Sequence, residues 1–172
     1  MGSRILSILA VVLLLGACST TDETGSVATE GLQSTDMTST TTSAPIAQNP
    51  SGVTPGTQQD LVVNVGDRVF FGYDQYDLTA EARTTVERQA QWLKTYPNVN
   101  IMVEGHADER GTREYNLALG EKRATATRNY LIANGVDPSR IQTISYGKER
   151  PAVTGGDDTS WAQNRRSVLV VQ

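Results

Sequence analysis

Apolar and polar positions divide this chain into three stretches. From Ile5 to Gly16 the residues are uncharged and almost wholly apolar, from Ser19 to Asp60 apolar residues are scattered, and from Leu61 onward they recur at strand and helix spacings. The third stretch predicts regular elements in alternation. Arg68-Val69-Phe70-Phe71 reads as a short strand closed by Gly72. Thr79 then caps a helix with Glu81 in its first turn, Ala82, Val86, Ala90 and Leu93 on one face, and Pro97 at its end. Asn100 to Val103 forms the next strand. A long helix from about Arg113 to Ala133 follows Gly111-Thr112 and stops at Asn134-Gly135. Ile141 to Ser145 and Ser167 to Val171 supply two more strands, separated by a Gly- and Asp-rich loop with a short turn near Trp161. Four strands and two main helices predict an α/β (α+β) domain, a two-layer sandwich with the helices over a four-stranded mixed sheet.

The first stretch has a different purpose. A spanning helix needs roughly 20 apolar residues to cross ~30 Å of hydrocarbon, and this run has 12 before polar residues take over. Behind Arg4 and ahead of small residues it reads as the apolar region of a signal peptide, residues 1–17. Cys18 is the only cysteine, so it has no internal disulfide partner. Leu15-Gly16-Ala17-Cys18 resembles a bacterial lipobox. That resemblance implies diacylglyceryl transfer to the Cys18 thiol, cleavage before it and acylation of the new amine. At ~0.8 kcal/mol per buried CH₂, one acyl chain holds a bilayer marginally and several hold it stably. Ser19 stands where lipoproteins retained at the inner membrane of enteric bacteria often carry Asp, so the resemblance implies the outer membrane.

Composition settles the middle stretch. Between Ser19 and Asp60, Ser and Thr supply 17 of 42 residues, Lys and Arg are absent, and Pro45, Pro50 and Pro55 interrupt the chain. Such a segment buries too little apolar surface to offset its ordering entropy. Residues 18–60 are therefore expected to be a lipidated cysteine and a flexible tether. As a coil it averages about 35 Å between ends and extends to the order of 140 Å. Residues 61–172 carry 14 Lys plus Arg against 14 Asp plus Glu. With no basic excess and no basic, aromatic-rich stripe, they argue against a nucleic-acid partner.

Candidate chemistry gathers where a strand exits into the long helix, at Glu104-Gly105-His106-Ala107-Asp108-Glu109-Arg110-Gly111-Thr112. Backbone donors and the positive helix end suit a carboxylate-bearing ligand there. At about 100° per residue, Glu114, Glu121, Lys122, Thr125, Arg128 and Asn129 share one side of the helix. Leu117, Leu119, Ala124, Ala126, Tyr130 and Leu131 share the other. Arg123 falls in the apolar arc, with Asn116 and Gly120 on its stripe. A guanidinium pressed against the protein must be paired or must bind an anion. An internal ion pair with Asp108 or Glu104 satisfies this, and so does a ligand.

Several segments carry a family resemblance: the run from Glu104 to Asn116, the continuation through Arg123-Ala124, Ser145 to Pro151, and Asn164-Arg165-Arg166. They resemble the family sharing the carboxy-terminal domain of outer membrane protein A, in particular the peptidoglycan-associated lipoproteins. The resemblance runs from about Val69 onward. It implies non-covalent binding of the meso-diaminopimelate residue of peptidoglycan at the outer membrane's periplasmic face. It also implies periplasmic and inner-membrane Tol partners, and a role in cell division and envelope integrity. It carries the family's motif aspartate to Asp108, its helix arginine to Arg123 and a pocket phenylalanine to Phe71, for which a place in the core is the stronger alternative. With Asn116 and Gly120 these are the candidate ligand-binding residues. Gly72 departs from the family, where many members have Asp, so backbone contacts alone are expected there. Arg165 and Arg166 match a family motif but are explained by a turn entering a strand. Two other readings stand beside this one: a Tol-system adaptor without direct wall binding, and a metal-dependent wall hydrolase built on His106-x-Asp108. A lone histidine offers no second imidazole, no His-Glu-x-x-His helix occurs, and the only cysteine is taken by the anchor. Neither catalysis nor a metal or other cofactor is expected.

Overall fold

The computed structural model describes residues 52–172, so the expected signal peptide, Cys18 and the tether up to residue 51 lie outside it. Its helices are α1 (Gln58–Asp60), α2 (Ala80–Thr95), α3 (Arg113–Ala133) and α4 (Asp158–Asn164). Its strands are β1 (Arg68–Phe70), β2 (Ile101–His106), β3 (Ile141–Gly147) and β4 (Arg166–Val171). The strands form one mixed sheet in the order β1-β4-β2-β3, with β2 and β3 parallel and the other pairs antiparallel. The α3 crossover joins the parallel pair and packs on both strands. This is the expected two-layer sandwich.

Local sequence explains the element ends. Thr79 and Thr112 accept the backbone N–H groups of Ala82 and Tyr115, capping α2 and α3. Gly135, at φ +90°, follows the end of α3, as glycine suits a left-handed position. Leu61, Val69, Val86, Leu93, Ile101, Val103, Ala124, Leu131 and Leu169 form the core between the layers. On α3 the buried stripe is Asn116, Leu119, Gly120, Arg123, Ala124, Thr127 and Leu131, whereas Leu117, Ala126 and Tyr130 are only half-buried. The seam takes in more polar residues than hydropathy predicts because Thr127 hydrogen-bonds Ser167 of β4 at 2.8 Å.

The packed unit also begins before the expected boundary at Leu61. Thr57 caps α1, which runs into a π turn at Leu61–Val65. The Gln58 side-chain amide donates to the Leu169 carbonyl at 3.1 Å and accepts from the Val171 N–H at 2.7 Å. It thereby continues the ladder of β4 beyond the end of β1. Asp60 is buried and accepts from the Trp92 indole at 2.9 Å, Asn64 at 2.6 Å and the Gly56 N–H at 2.8 Å. These polar residues resemble the tether in composition, but Gln58 and Asp60 are tied to Leu169, Val171 and Trp92 far along the chain.

Candidate functional site

The site is built on the loop leaving β2. Ala107 N–H bonds Gly147 O at 2.8 Å, Lys148 Nζ holds the carbonyls of Glu109 and Gly111 at 3.1 and 2.7 Å, and Asn116 Nδ2 holds that of Arg110 at 2.8 Å. Gly111, at φ +89°, turns the chain into α3. A cavity of about 150 Å³ opens beside this loop, lined by Asp108, Arg123, Asn116, Arg110, Asp74 and Tyr115 among others. It therefore presents two carboxylates and two guanidinium groups.

Arg123 is fully enclosed. Its guanidinium donates to three backbone carbonyls, Gln75 O at 2.8 Å, His106 O at 2.8 Å and Gly72 O at 3.1 Å, and lies 5.4 Å from the Phe71 ring centroid. Burial draws its pKa down to about 10, with the negative charge of Asp108 acting the other way, so it stays cationic near neutrality. The ion pairs of Asp108 are made elsewhere: Arg110 reaches its two oxygens at 3.2 and 2.7 Å, and Arg165 reaches Oδ2 at 3.4 Å. Burial opposes ionisation of Asp108, but the Arg110 side chain and N–H outweigh it and hold the carboxyl below its ordinary range. An internal Asp108–Arg123 or Glu104–Arg123 ion pair is thus not formed. Arg123 carries its charge into the cavity wall on neutral acceptors alone.

The candidate residues separate into groups. Asp108, Asn116 and Arg123 line one cavity. Phe71 is buried in the core against Arg123, and its N–H and carbonyl bond Arg165. Gly120 faces the sheet instead: a Cβ there would meet Ser145 Oγ at 2.3 Å and Gly105 O at 2.9 Å. Gly72 contributes through its carbonyl, the backbone contact expected of it. Residues that the sequence did not single out also surround the cavity. Tyr115 donates to Asp74, and Arg110 lies over the rings of Tyr73 and Trp161, 4.2 and 4.0 Å from their centroids. Arg165, weighed lightly from sequence, touches Asp108 directly. Arg110 is two residues from Asp108, a spacing that favours a local side-chain turn. Trp161 lies 51 residues on and gives no such signal. His106 is buried with neither ring nitrogen hydrogen-bonded, 3.5 Å from a Glu104 oxygen. Burial and the nearby Arg166 and Arg150 push its pKa down to about 4. Among the described residues no three His, Cys, Asp or Glu side chains converge as a metal site.

Comparison with known proteins shows the family of the chain. Residues 70–165 match the OmpA family. The chain is 60% identical over 118 residues to a peptidoglycan-associated lipoprotein of Rhizobium meliloti, covering 69% of this chain and 67% of that one. It is 55% identical to the protein of the same name from Mesorhizobium japonicum, over 74% and 77% of the two chains. The crystal structure of the peptidoglycan-associated lipoprotein from Burkholderia pseudomallei superposes with a TM-score of 0.60 at 45% identity, covering 62% of this chain and 90% of that one. The chain belongs to the OmpA family and, within it, to the peptidoglycan-associated lipoproteins, a structural family rather than an enzyme family.

Proposed function

We propose that this chain is a lipid-anchored protein of the outer membrane's periplasmic face that grips peptidoglycan non-covalently through the free amino-acid end of meso-diaminopimelate. Asp108 takes the ammonium and Arg123 the carboxylate of that zwitterion. The observation that carries this reading is Arg123 itself, a fully enclosed cation with carbonyl partners only, in the wall of a cavity shared with Asp108. A buried charge without a counter-ion is costly, and a ligand carboxylate supplies the missing partner with charge-assisted bonds. The names of the relatives support the wall as the ligand. All four contacts to the Asp108 carboxylate come from arginine, and an arriving ammonium displaces the longest, that of Arg165 at 3.4 Å.

Cys18 supplies the anchor and the segment after it the reach. Tol proteins are the protein partners, as the resemblance implies, and envelope integrity and cell division the processes served. Co-sedimentation with purified walls tests the central claim. Walls containing diaminopimelate are expected to retain the protein and free diaminopimelate to release it. Walls with lysine at that position lack the distal carboxylate and are expected to bind weakly. Equal retention on both walls would remove the clamp.

A further inference from the structure

β1 is an outer strand of the sheet, and a groove runs beside its free edge. The Leu169 N–H bonds Asp67 O at 2.8 Å and the Phe71 N–H bonds Arg165 O at 2.9 Å, which fixes the phase of the β1–β4 ladder. Opposed residues of an antiparallel pair alternate between bonded and non-bonded. Val69 and Ser167 are therefore a bonded pair, whereas Arg68 with Val168 and Phe70 with Arg166 are not. The N–H and carbonyl groups of Arg68 and Phe70 thus point away from β4, and among the described residues no strand meets them. The groove there has a volume of about 260 Å³, with β1 on one side and Thr79, Glu81, Ala82 and Thr85 at the start of α2 on the other. Val69 and Ala82 are buried and make its apolar base. No residue lines both this groove and the Asp108 cavity. The Arg68 guanidinium is half-exposed, and its one ion pair among the described residues is with the adjacent Asp67, at 3.4 Å. Phe70 is 44% exposed, and Arg166 stands opposite it on the same face of the sheet.

We propose that this edge docks an extended segment of a partner protein as a fifth, antiparallel strand, with an acidic residue against Arg68, an apolar one against Phe70 and a small one between them in the groove. Addition centred on Val69 satisfies all four free backbone groups, two in each bonded pair, and alternate side chains then fall on the two faces of the sheet. A short edge strand bearing a charge resists indiscriminate pairing. Here the charge also selects, because Arg68 and Arg166 on the open face favour an acid in the incoming strand and disfavour a base. A second copy of this chain fits the edge less well. Its own β1 would set Phe70 against Arg68 and bring no acid to either arginine.

The test uses the full-length protein and a fluorescein-labelled peptide, Thr-Tyr-Val-Glu-Thr-amide, whose Tyr, Val and Glu face Phe70, the groove and Arg68 in that register. Binding is read by fluorescence anisotropy and its place by amide hydrogen exchange. The peptide is expected to bind and to protect the amides of Arg68 and Phe70. Methylating its Tyr and Glu backbone nitrogens, which removes both donors to β1, is expected to weaken binding on the order of tenfold. Replacing its Glu by Lys is expected to weaken binding about three- to tenfold, and Arg68→Glu to reverse the preference between the two peptides. Absence of binding, a methylated peptide that binds like its parent, protection at other amides, or an unreversed preference in Arg68→Glu would each overturn the proposal. Protection of the same two amides on raising the protein concentration without peptide would give the edge to a second copy and overturn it as well.

Discussion

Arg123 and Asp108 share a cavity but answer to different partners, and substitution should separate them. Arg123→Ala leaves three carbonyls without their donor and empties the space beneath Phe71. It is expected to cost about 3 kcal/mol or more of stability, read from urea denaturation. Lysine should restore little, since one ammonium cannot reach three fanned carbonyls. Asp108→Asn keeps the shape of its loop and is expected to fold, with wall affinity lower on the order of a hundredfold. Wild-type wall affinity in a folded Asp108→Asn protein would take Asp108 out of the site. His106, the one histidine in the chain, gives a pH signature. Its pKa falls from about 6.5 unfolded to about 4 folded, so between those values the unfolded chain binds the extra proton. Stability is then fully present above pH 6.5 and declines by about 3 kcal/mol as the pH falls to 4. His106→Phe should flatten the decline between pH 6.5 and 4.5, above the range where Asp60 and Asp108 titrate. The importance of Arg123 was legible from its place on an apolar arc. Its partners were not, because carbonyl acceptors leave no mark on the side-chain sequence.

The β2-α3-β3 unit packs through glycines. A Cβ on Gly105 would stand 1.9 Å from the Gly120 carbonyl oxygen, and that atom has no freedom to withdraw. Gly105→Ala is expected to destabilise by about 3 kcal/mol or to prevent folding, read as a lowered melting temperature. Gly120→Ala first meets the Ser145 hydroxyl, which swings aside only by releasing the Leu117 carbonyl it bonds at 2.7 Å. A cost of about 1–3 kcal/mol is expected there. Helix caps, helix ends and strand positions were readable because their causes lie within a few residues: Thr79 and Thr112 cap, and Gly135 stops. Strand lengths were less so, since β2 extends to His106 and β3 to Gly147 through pairing with each other. The same limit applies to α1, where Gln58 finds its partners 111 and 113 residues away. It applies also to Gly120, whose neighbours across the sheet are Ser145 and the Gly105 backbone.

At the scale of the whole molecule, the proposed function assigns anchor, reach and grip to separate segments. Cys18→Ala is expected to leave the protein unprocessed or to release it from the outer-membrane fraction. Persistence there would refute the lipidation. Scrambling residues 22–51 is expected to preserve wall attachment in cells, and deleting most of them to reduce it, because length and not order sets the reach. Loss of attachment on scrambling would point to a sequence-specific motif instead. The scrambled span stops short of Gln58, whose bonds to Leu169 and Val171 fix the entering chain to one end of β4. Arg165 and Asp108 lie at the other end, roughly 20 Å away along the strand. On the proposed function, drawing membrane and wall apart would bring tension in at Gln58 and out through the site, parallel to β4. Its hydrogen bonds to β2 lie across that line, so they are sheared together and resist as a group, rather than being peeled one at a time.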